Sequence, residues 1–89
     1  MTTTTLAGIR QAVIDSVQAI APEADFAALD PRRPFREELD LDSFDFLNVL
    51  IELHARLGVE IPEADYARVG TLEALLAYLA ARLDARSGP

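Results

Sequence analysis

Apolar residues recur at three- and four-residue steps in three stretches of the chain, which is the spacing of one face of an α-helix. The stretches cover about residues 5–21, 43–57 and 71–83. Between the last two, Pro62 suits the first turn of a short helical segment over residues 63–68. No stretch shows the alternation of a β-strand. The pattern predicts an all-α fold: a small antiparallel four-helix bundle with three longer helices and one short helix between the last two.

The second predicted helix has well-defined start and stop residues. Asp42 suits the N-cap position, and Asp45 stands three residues later, where a capping box places a carboxylate. Ser43 is then the first helical residue, at the positive end of the helix dipole and beside unpaired backbone N–H groups. Gly58 suits the C-cap. A phosphate on Ser43 would be electrostatically favoured, so we interpret this serine as an attachment point.

Residues 22–42 form a long connection between the first two predicted helices. Pro31 and Pro34 exclude a continuous helix there. A connection of this length inside a small domain is usually functional or anchored by buried side chains. We expect Phe35 to be the loop residue that inserts its side chain into the core.

The apolar residues of the second predicted helix fall on two separate faces when they are placed at about 100° per residue. The first face is expected to pack on the core, and it contains five residues: Phe46, Val49, Leu50, Leu53 and Leu57. The second is a narrower stripe of Phe44, Leu47 and Ile51. We expect this stripe to face a partner protein. The alternative is that another helix of the same domain covers it.

Charge is concentrated in the middle of a chain of 89 residues with a net charge of −7. Residues 37–65 contain nine acidic side chains and one basic side chain, Arg56. An acidic surface disfavours nucleic acid and anionic membranes as partners and favours a basic protein surface. The length corresponds to a single domain, residues 1–89, in which residues 1–4 and 85–89 are expected to be disordered tails.

The composition excludes several kinds of site. The chain contains no cysteine and one histidine, which excludes disulfides, a thiol nucleophile and metal centres built from cysteine or histidine. It has no apolar run of membrane-spanning length and no basic N-terminal region followed by an apolar stretch. We therefore expect a cytoplasmic protein without a signal peptide or a membrane span. We also expect it to be a monomer.

Ser43 has no partner for nucleophilic catalysis within its predicted helix. The only histidine, His54, lies eleven residues further along the same helix, which is roughly 16 Å away. The aspartates beside Ser43 are weak bases because a helix N-terminus stabilises their charged form. Together with Asp40, they also lack the spacing of a calcium-binding loop. We therefore expect neither an enzyme nor a metal site.

Three segments of the chain resemble the acyl carrier protein family. The family's attachment signature, an Asp-Ser-Leu-Asp or close variant, is similar to residues 35–45, which read FREELDLDSFD. The loop after the family's second helix is similar to residues 57–62, which read LGVEIP. The family's last helix resembles Thr71-Leu72 and the leucine-rich stretch that follows. The resemblance covers roughly residues 6–83.

The resemblance implies a carrier without catalytic activity of its own. A separate phosphopantetheinyl transferase would move 4′-phosphopantetheine from coenzyme A onto Ser43. The thiol of the attached phosphopantetheine would then hold acyl groups as thioesters between the enzymes that load and use them. The chain has no cysteine, so the thiol would have to come from the attached group. The acyl group is expected to enter an apolar pocket lined by Phe35, Phe46, Leu50, Leu53 and Ile61. Basic surfaces of partner enzymes are expected to contact Asp42, Phe44, Asp45, Leu47, Asn48, Ile51 and Glu52.

The sequence also departs from the family pattern. Asp40 replaces a usual glycine, Phe44 a usual leucine, and Asn48 a usual acidic residue. These departures favour a specialised carrier of a lipid or polyketide-type pathway over the carrier of housekeeping fatty-acid synthesis. Two alternatives stay open: an aminoacyl or peptidyl carrier of the same fold, and an unmodified helical protein-interaction module.

Overall fold

The structure is a computed structural model that describes residues 5–87, with side chains described as far as residue 84. Four α-helices lie in that range: α1 (Leu6–Ile20), α2 (Phe35–Glu38), α3 (Ser43–Leu57) and α4 (Leu72–Ser87). Two 3₁₀ helices accompany them, Phe26–Ala28 and Glu63–Val69. The residues described contain no β-strand. The predicted all-α bundle, with three longer helices and a short one between the last two, is confirmed.

The three longer helices pack around one apolar core, because each buries the face that its spacing predicted. Helix α1 packs against α3 and α4, and the 3₁₀ helix Glu63–Val69 packs against α4. The most deeply buried apolar side chains come from all of these elements and from α2: Val13, Val17, Phe35, Val49, Leu53, Val69, Leu75 and Leu79. Helix α3 is therefore held to the domain along one face.

The helix ends follow local signals in the sequence. At the start of α1, the Thr5 hydroxyl accepts a hydrogen bond from the backbone N–H of Gly8 at 3.1 Å. At the start of α4, the Thr71 hydroxyl accepts one from the N–H of Ala74 at 3.0 Å. After α3, Gly58 has a φ of 71°, in the left-handed region that glycine adopts without steric cost. The predicted C-cap at Gly58 is confirmed.

Helix α4 extends further than the sequence predicted. It continues to Ser87, whereas a tail was expected from residue 85. The physical reason is that no proline or glycine interrupts the sequence before Gly88, so nothing stops the helix earlier. The remaining predicted tail residues, 1–4 and 88–89, lie outside the described part of the chain.

The connection between α1 and α3 contains more structure than the sequence predicted, namely the one-turn helix α2 and a 3₁₀ helix. Phe35 is its anchor, and the side chain is completely buried, as predicted. The backbone N–H of Phe35 donates to the Gly70 carbonyl at 2.9 Å, and the N–H of Glu73 donates to the Pro31 carbonyl at 2.9 Å. These bonds attach the connection to the start of α4.

Candidate functional site

The start of α3 forms the cap predicted from the sequence. Asp42 has an extended backbone (φ −82°, ψ 178°), and its carboxylate accepts a hydrogen bond from the backbone N–H of Asp45 at 2.8 Å. Ser43 is consequently the first residue of α3, and it is exposed. The serine lies at the positive end of a helix of 15 residues, where an anionic group is favoured.

Asp40, two residues before the cap, adopts a left-handed backbone conformation. Its φ is 54°, and it is the only non-glycine residue with a positive φ in residues 5–87. The turn is closed by the backbone N–H of Leu41, which donates to the Arg36 carbonyl at 2.8 Å. This conformation costs a residue with a Cβ about 1–2 kcal/mol. The glycine that the resemblance leads us to expect at this position would adopt the conformation without that cost.

We expect the stability of variants at position 40 to follow this backbone conformation. Asp40→Gly should be more stable than Asp40→Ala by about 1–2 kcal/mol in urea unfolding, with the wild type between them, because glycine adopts this φ without steric cost. The matched control is Glu60, an exposed acidic residue whose φ is not positive. Glycine should give no gain over alanine there. Equal stability of the two Asp40 variants would contradict the expectation.

Ser43 borders a cleft of about 1040 Å³ between α2, the start of α3 and the 3₁₀ helix Glu63–Val69. Its larger apolar walls come from Leu41, Phe46, Leu47 and Tyr66. The Phe46 ring packs edge-on against Tyr66, with 6.2 Å between the ring centroids. The cleft is therefore a largely apolar and partly aromatic groove that begins at the serine.

All five residues predicted to line an acyl pocket are buried, but only Phe46 lines this cleft. Phe35 packs edge-on behind Phe46, with 5.9 Å between the ring centroids. The other three belong to the core: Leu50, Leu53 and Ile61. Sequence reasoning did not assign Leu41 and Tyr66 to the pocket. Leu41 lies two residues before the serine, whereas Tyr66 lies in a segment 23 residues after it. The part that any of these residues plays in holding an acyl group stays a prediction.

The second apolar stripe of α3 lies on the surface. Phe44, Leu47 and Ile51 expose 71%, 40% and 55% of their area, so no other helix within residues 5–87 covers the stripe. Three neighbouring polar residues are half-buried beside it: Asp45, Asn48 and Glu52. The Asn48 side-chain amide donates to the Phe44 carbonyl at 3.1 Å, within the helix. The contribution of the stripe, of its polar neighbours and of Asp42 to partner binding stays a prediction.

The described residues bring neither the histidine nor a metal-binding cluster to Ser43. His54 is exposed and lies in the last turn of α3, far from the serine at the first position. Within residues 5–87, no three His, Asp or Glu side chains are grouped so that they could hold a metal ion. The helices in the same range are all too short or too polar to cross a membrane.

A hydrogen-bonded cluster fixes one wall of the cleft to α4. The Tyr78 hydroxyl donates to the Asp65 carboxylate at 2.6 Å, and Arg82 donates to the Tyr78 hydroxyl at 2.7 Å. The guanidinium groups of Arg68 and Arg82 lie 5.8 and 4.9 Å from the centroid of the Tyr78 ring. Because Asp65 and Tyr66 belong to the same 3₁₀ helix, the cluster holds the aromatic wall in place.

Asp65 gives this cluster a pH-dependent contribution to stability. The hydrogen bond from Tyr78, together with the charges of Arg68 and Arg82, lowers the pKa of Asp65 below its usual 3.8, and partial burial opposes the shift. A carboxyl group with a lowered pKa stabilises the fold above its unfolded pKa, and this stabilisation is lost as the pH falls through the folded pKa.

We therefore expect Asp65→Asn to lower the melting temperature at pH 7. The difference from the wild type should shrink as the pH is lowered from about 5 to about 3, because the wild-type carboxylate becomes protonated. Tyr78→Phe should weaken the same pH dependence, because it removes the main cause of the lowered pKa. A gap between Asp65→Asn and the wild type that stays constant over this range would contradict the assignment.

The fold and the site together define a class of protein. A small helical domain presents an exposed serine at the start of a helix, with an apolar cleft at one side and an exposed apolar stripe along the same helix. The histidine, His54, lies in the last turn of the same helix and is exposed. These features are typical of a domain that carries a covalently attached group.

Comparison with known proteins identifies the family. Residues 9–79 match the family described as the phosphopantetheine attachment site. An acyl carrier protein of Rubrobacter xylanophilus is 29% identical over 73 residues, which are 79% of this chain and 90% of the relative. The meromycolate extension acyl carrier protein of Mycobacterium tuberculosis is 30% identical over 74 residues, 83% of this chain but only 60% of the relative. That of Mycolicibacterium smegmatis is 28% identical over 74 residues, 83% of this chain and 70% of the relative.

No solved structure matches the chain. The chain belongs to the acyl carrier protein family, whose cofactor is 4′-phosphopantetheine. The start of α3 fits this cofactor in two respects. Ser43 offers an exposed hydroxyl for a phosphate at a helix N-terminus, and the adjoining cleft offers apolar walls. The group also supplies a thiol, which the chain lacks.

Proposed function

We propose that Ser43 carries the 4′-phosphopantetheine arm of this acyl carrier protein. A phosphopantetheinyl transferase would join the Ser43 oxygen to the phosphorus of the pantetheine half of coenzyme A, release the adenosine nucleotide half and accept the hydroxyl proton. The supporting observation is that Ser43 is exposed at the first position of α3 and borders the cleft. The other serines are unsuited: Ser16 is completely buried, and Ser87 lies at the end of α4.

The arm's thiol would hold acyl groups as thioesters and deliver them from one enzyme to the next. Between encounters, the acyl group would withdraw into the cleft beside Ser43, where apolar walls keep water from the thioester. Phe46 and Tyr66 support this part of the proposal, because their rings supply most of the aromatic surface of the cleft. The carrier itself would catalyse no step, in agreement with the exposed and distant position of His54.

Partner enzymes would bind the exposed start of α3. The stripe of Phe44, Leu47 and Ile51 offers apolar surface, and acids surround it: Asp42, Asp45 and Glu52. A basic surface on an enzyme would be attracted to these charges, which raises the rate of encounter more than it lowers the rate of dissociation. A carrier that visits several enzymes in turn requires such short-lived complexes.

The pathway served by this carrier is proposed to be lipid chain extension or a related polyketide-type synthesis. The names of the mycobacterial relatives refer to meromycolate extension, and the departures of this chain from the usual pattern, such as Phe44 and Asn48, favour a specialised pathway. The cytoplasmic location and the monomeric state remain predictions from the sequence.

The proposal is tested by incubating the purified chain with coenzyme A, magnesium and a broad-specificity phosphopantetheinyl transferase, and by measuring its intact mass. We expect a gain of one phosphopantetheine group. Loading with acyl and aminoacyl substrates then separates an acyl carrier from an aminoacyl or peptidyl carrier. A chain that folds but gains no mass with a transferase that modifies a known carrier would overturn the proposal and favour an unmodified interaction module.

A further inference from the structure

We propose that Arg36 positions the phosphopantetheine arm by pairing its guanidinium group with the phosphate diester on Ser43. The inference rests on the proposed attachment at Ser43 and adds a residue to which neither the sequence nor the comparisons assign a role. Arg36 would act as a positioning residue, because its contact with the phosphate would fix the direction in which the arm leaves the protein surface.

The geometry brings the two residues to the same cleft. Both Arg36 and Ser43 line it, and the guanidinium carbon of Arg36 lies 5.6 Å from the centroid of the Phe46 ring. Phe46 follows Ser43 by three residues on α3, and residues three apart on a helix are neighbours, with about 5–6 Å between their Cβ atoms. The guanidinium group therefore lies over the side chain that follows the attachment point by one helical turn.

Arg36 is exposed, and two contacts define its position. Its carbonyl accepts a hydrogen bond from the backbone N–H of Leu41 at 2.8 Å, which fixes the turn that leads to α3. Its guanidinium lies over the Phe46 ring at 5.6 Å from the centroid, and that ring is in turn packed edge-on against Phe35 and Tyr66. A guanidinium group on an aromatic face keeps its N–H groups free to bind the oxygens of a phosphate.

The charges around the cleft explain why a cation is needed there. The arm adds a negative phosphate to a cleft whose other charged lining residues are acidic: Glu37, Asp40 and Glu63. Asp42 and Asp45 add two more acids within two residues of Ser43 in the chain. Arg36 is the one basic residue among the residues that line the cleft within the described chain. Arg33, three residues before Arg36 in the chain, is paired with Glu38 at 3.5 Å. Arg36 is thus the cation available to offset repulsion between the phosphate and these acids.

The test compares apo and phosphopantetheine-loaded protein, with intact mass recorded for every sample. In the wild type, we expect loading to shift the side-chain Nε–Hε NMR signal of Arg36 and to leave that of Arg10, an exposed residue of α1, unchanged. In Arg36→Gln, the phosphorus signal of the loaded arm should differ from that of the wild type. Loading should also lower the melting temperature of this variant by about 2–5 °C more than it does in the wild type.

Arg10→Gln is the matched control, because it removes the same charge from an exposed position that does not line the cleft. It should behave as the wild type, and Arg36→Lys should give an intermediate result. A wild-type chain that is not modified would overturn the proposed function together with this inference. A loaded chain in which the Arg36 signal does not move would overturn the inference alone. So would an Arg36→Gln variant that is loaded more slowly but has unchanged properties once loaded, because Arg36 would then serve the transferase.

Discussion

Replacement of Ser43 by alanine is expected to abolish attachment of the phosphopantetheine arm completely while leaving the domain folded. The hydroxyl oxygen is the atom that would form the bond to phosphorus, and alanine offers no substitute. The helix start should survive, because its cap is the bond between the Asp42 carboxylate and the backbone N–H of Asp45, at 2.8 Å. Ser43 is exposed, so its truncation should change the free energy of unfolding by no more than about 0.5 kcal/mol.

The measurement is the intact mass after incubation with coenzyme A and the transferase, together with circular dichroism and thermal unfolding. Ser16→Ala is the control, because Ser16 is fully buried and its hydroxyl donates to the Ala12 carbonyl at 2.7 Å, away from any transferase. That variant should gain the arm as the wild type does. A mass gain in Ser43→Ala would show that another residue is modified, and the assignment of the site would be wrong.

The residues at the start of α3 could be predicted because their physics is local. A cap depends on residues within one turn of each other, so Asp42 and Gly58 indicate the two ends of the helix in the sequence itself. Helical spacing likewise separated the stripe of Phe44, Leu47 and Ile51 from the core face. Spacing alone could not decide whether another helix covers that stripe. Their exposure of 40–71% answers this for the described residues.

The cleft could not be predicted in the same way, because distant segments build it. Phe46 meets Tyr66, twenty residues later in the chain, and Phe35 bonds through its backbone to Gly70. The sequence placed Phe35 correctly in the core but also assigned it to the pocket. A single apolar residue in a polar loop is expected to be buried, but its sequence context does not show whether the side chain borders a cavity. Pairings of this kind depend on the whole topology.

The left-handed turn at Asp40 could be predicted only in part. The resemblance to the family marked the position as unusual, because an aspartate stands where a glycine is expected. The sequence contained no indication that the backbone keeps the conformation that favours glycine. The φ of 54° shows that this conformation is retained and that the aspartate accommodates it.

Replacement of Phe35 by alanine is expected to cost about 3–5 kcal/mol of the free energy of unfolding, which is the range for a buried phenylalanine. Small domains have about 5–15 kcal/mol in total, so the variant should be close to unfolding. Phe35 is completely buried, and its ring packs edge-on against Phe46 with 5.9 Å between the centroids. The truncation would leave a cavity directly behind the wall of the cleft, so the shape of the cleft should change along with the stability.

Urea unfolding of Phe35→Ala and Phe44→Ala separates the roles of burial and surface exposure. Both variants lose the same side-chain atoms, but Phe44 is 71% exposed, so Phe44→Ala should change the free energy of unfolding by less than about 1 kcal/mol. Its defect should appear in acyl transfer to a partner enzyme, because the exposed ring belongs to the proposed docking stripe. Equal destabilisation by the two substitutions would contradict the placement of Phe35 in the core and Phe44 on the surface. A stable Phe44→Ala that is loaded and unloaded at the wild-type rate would remove Phe44 from the docking surface, while leaving Ser43 as the point of attachment.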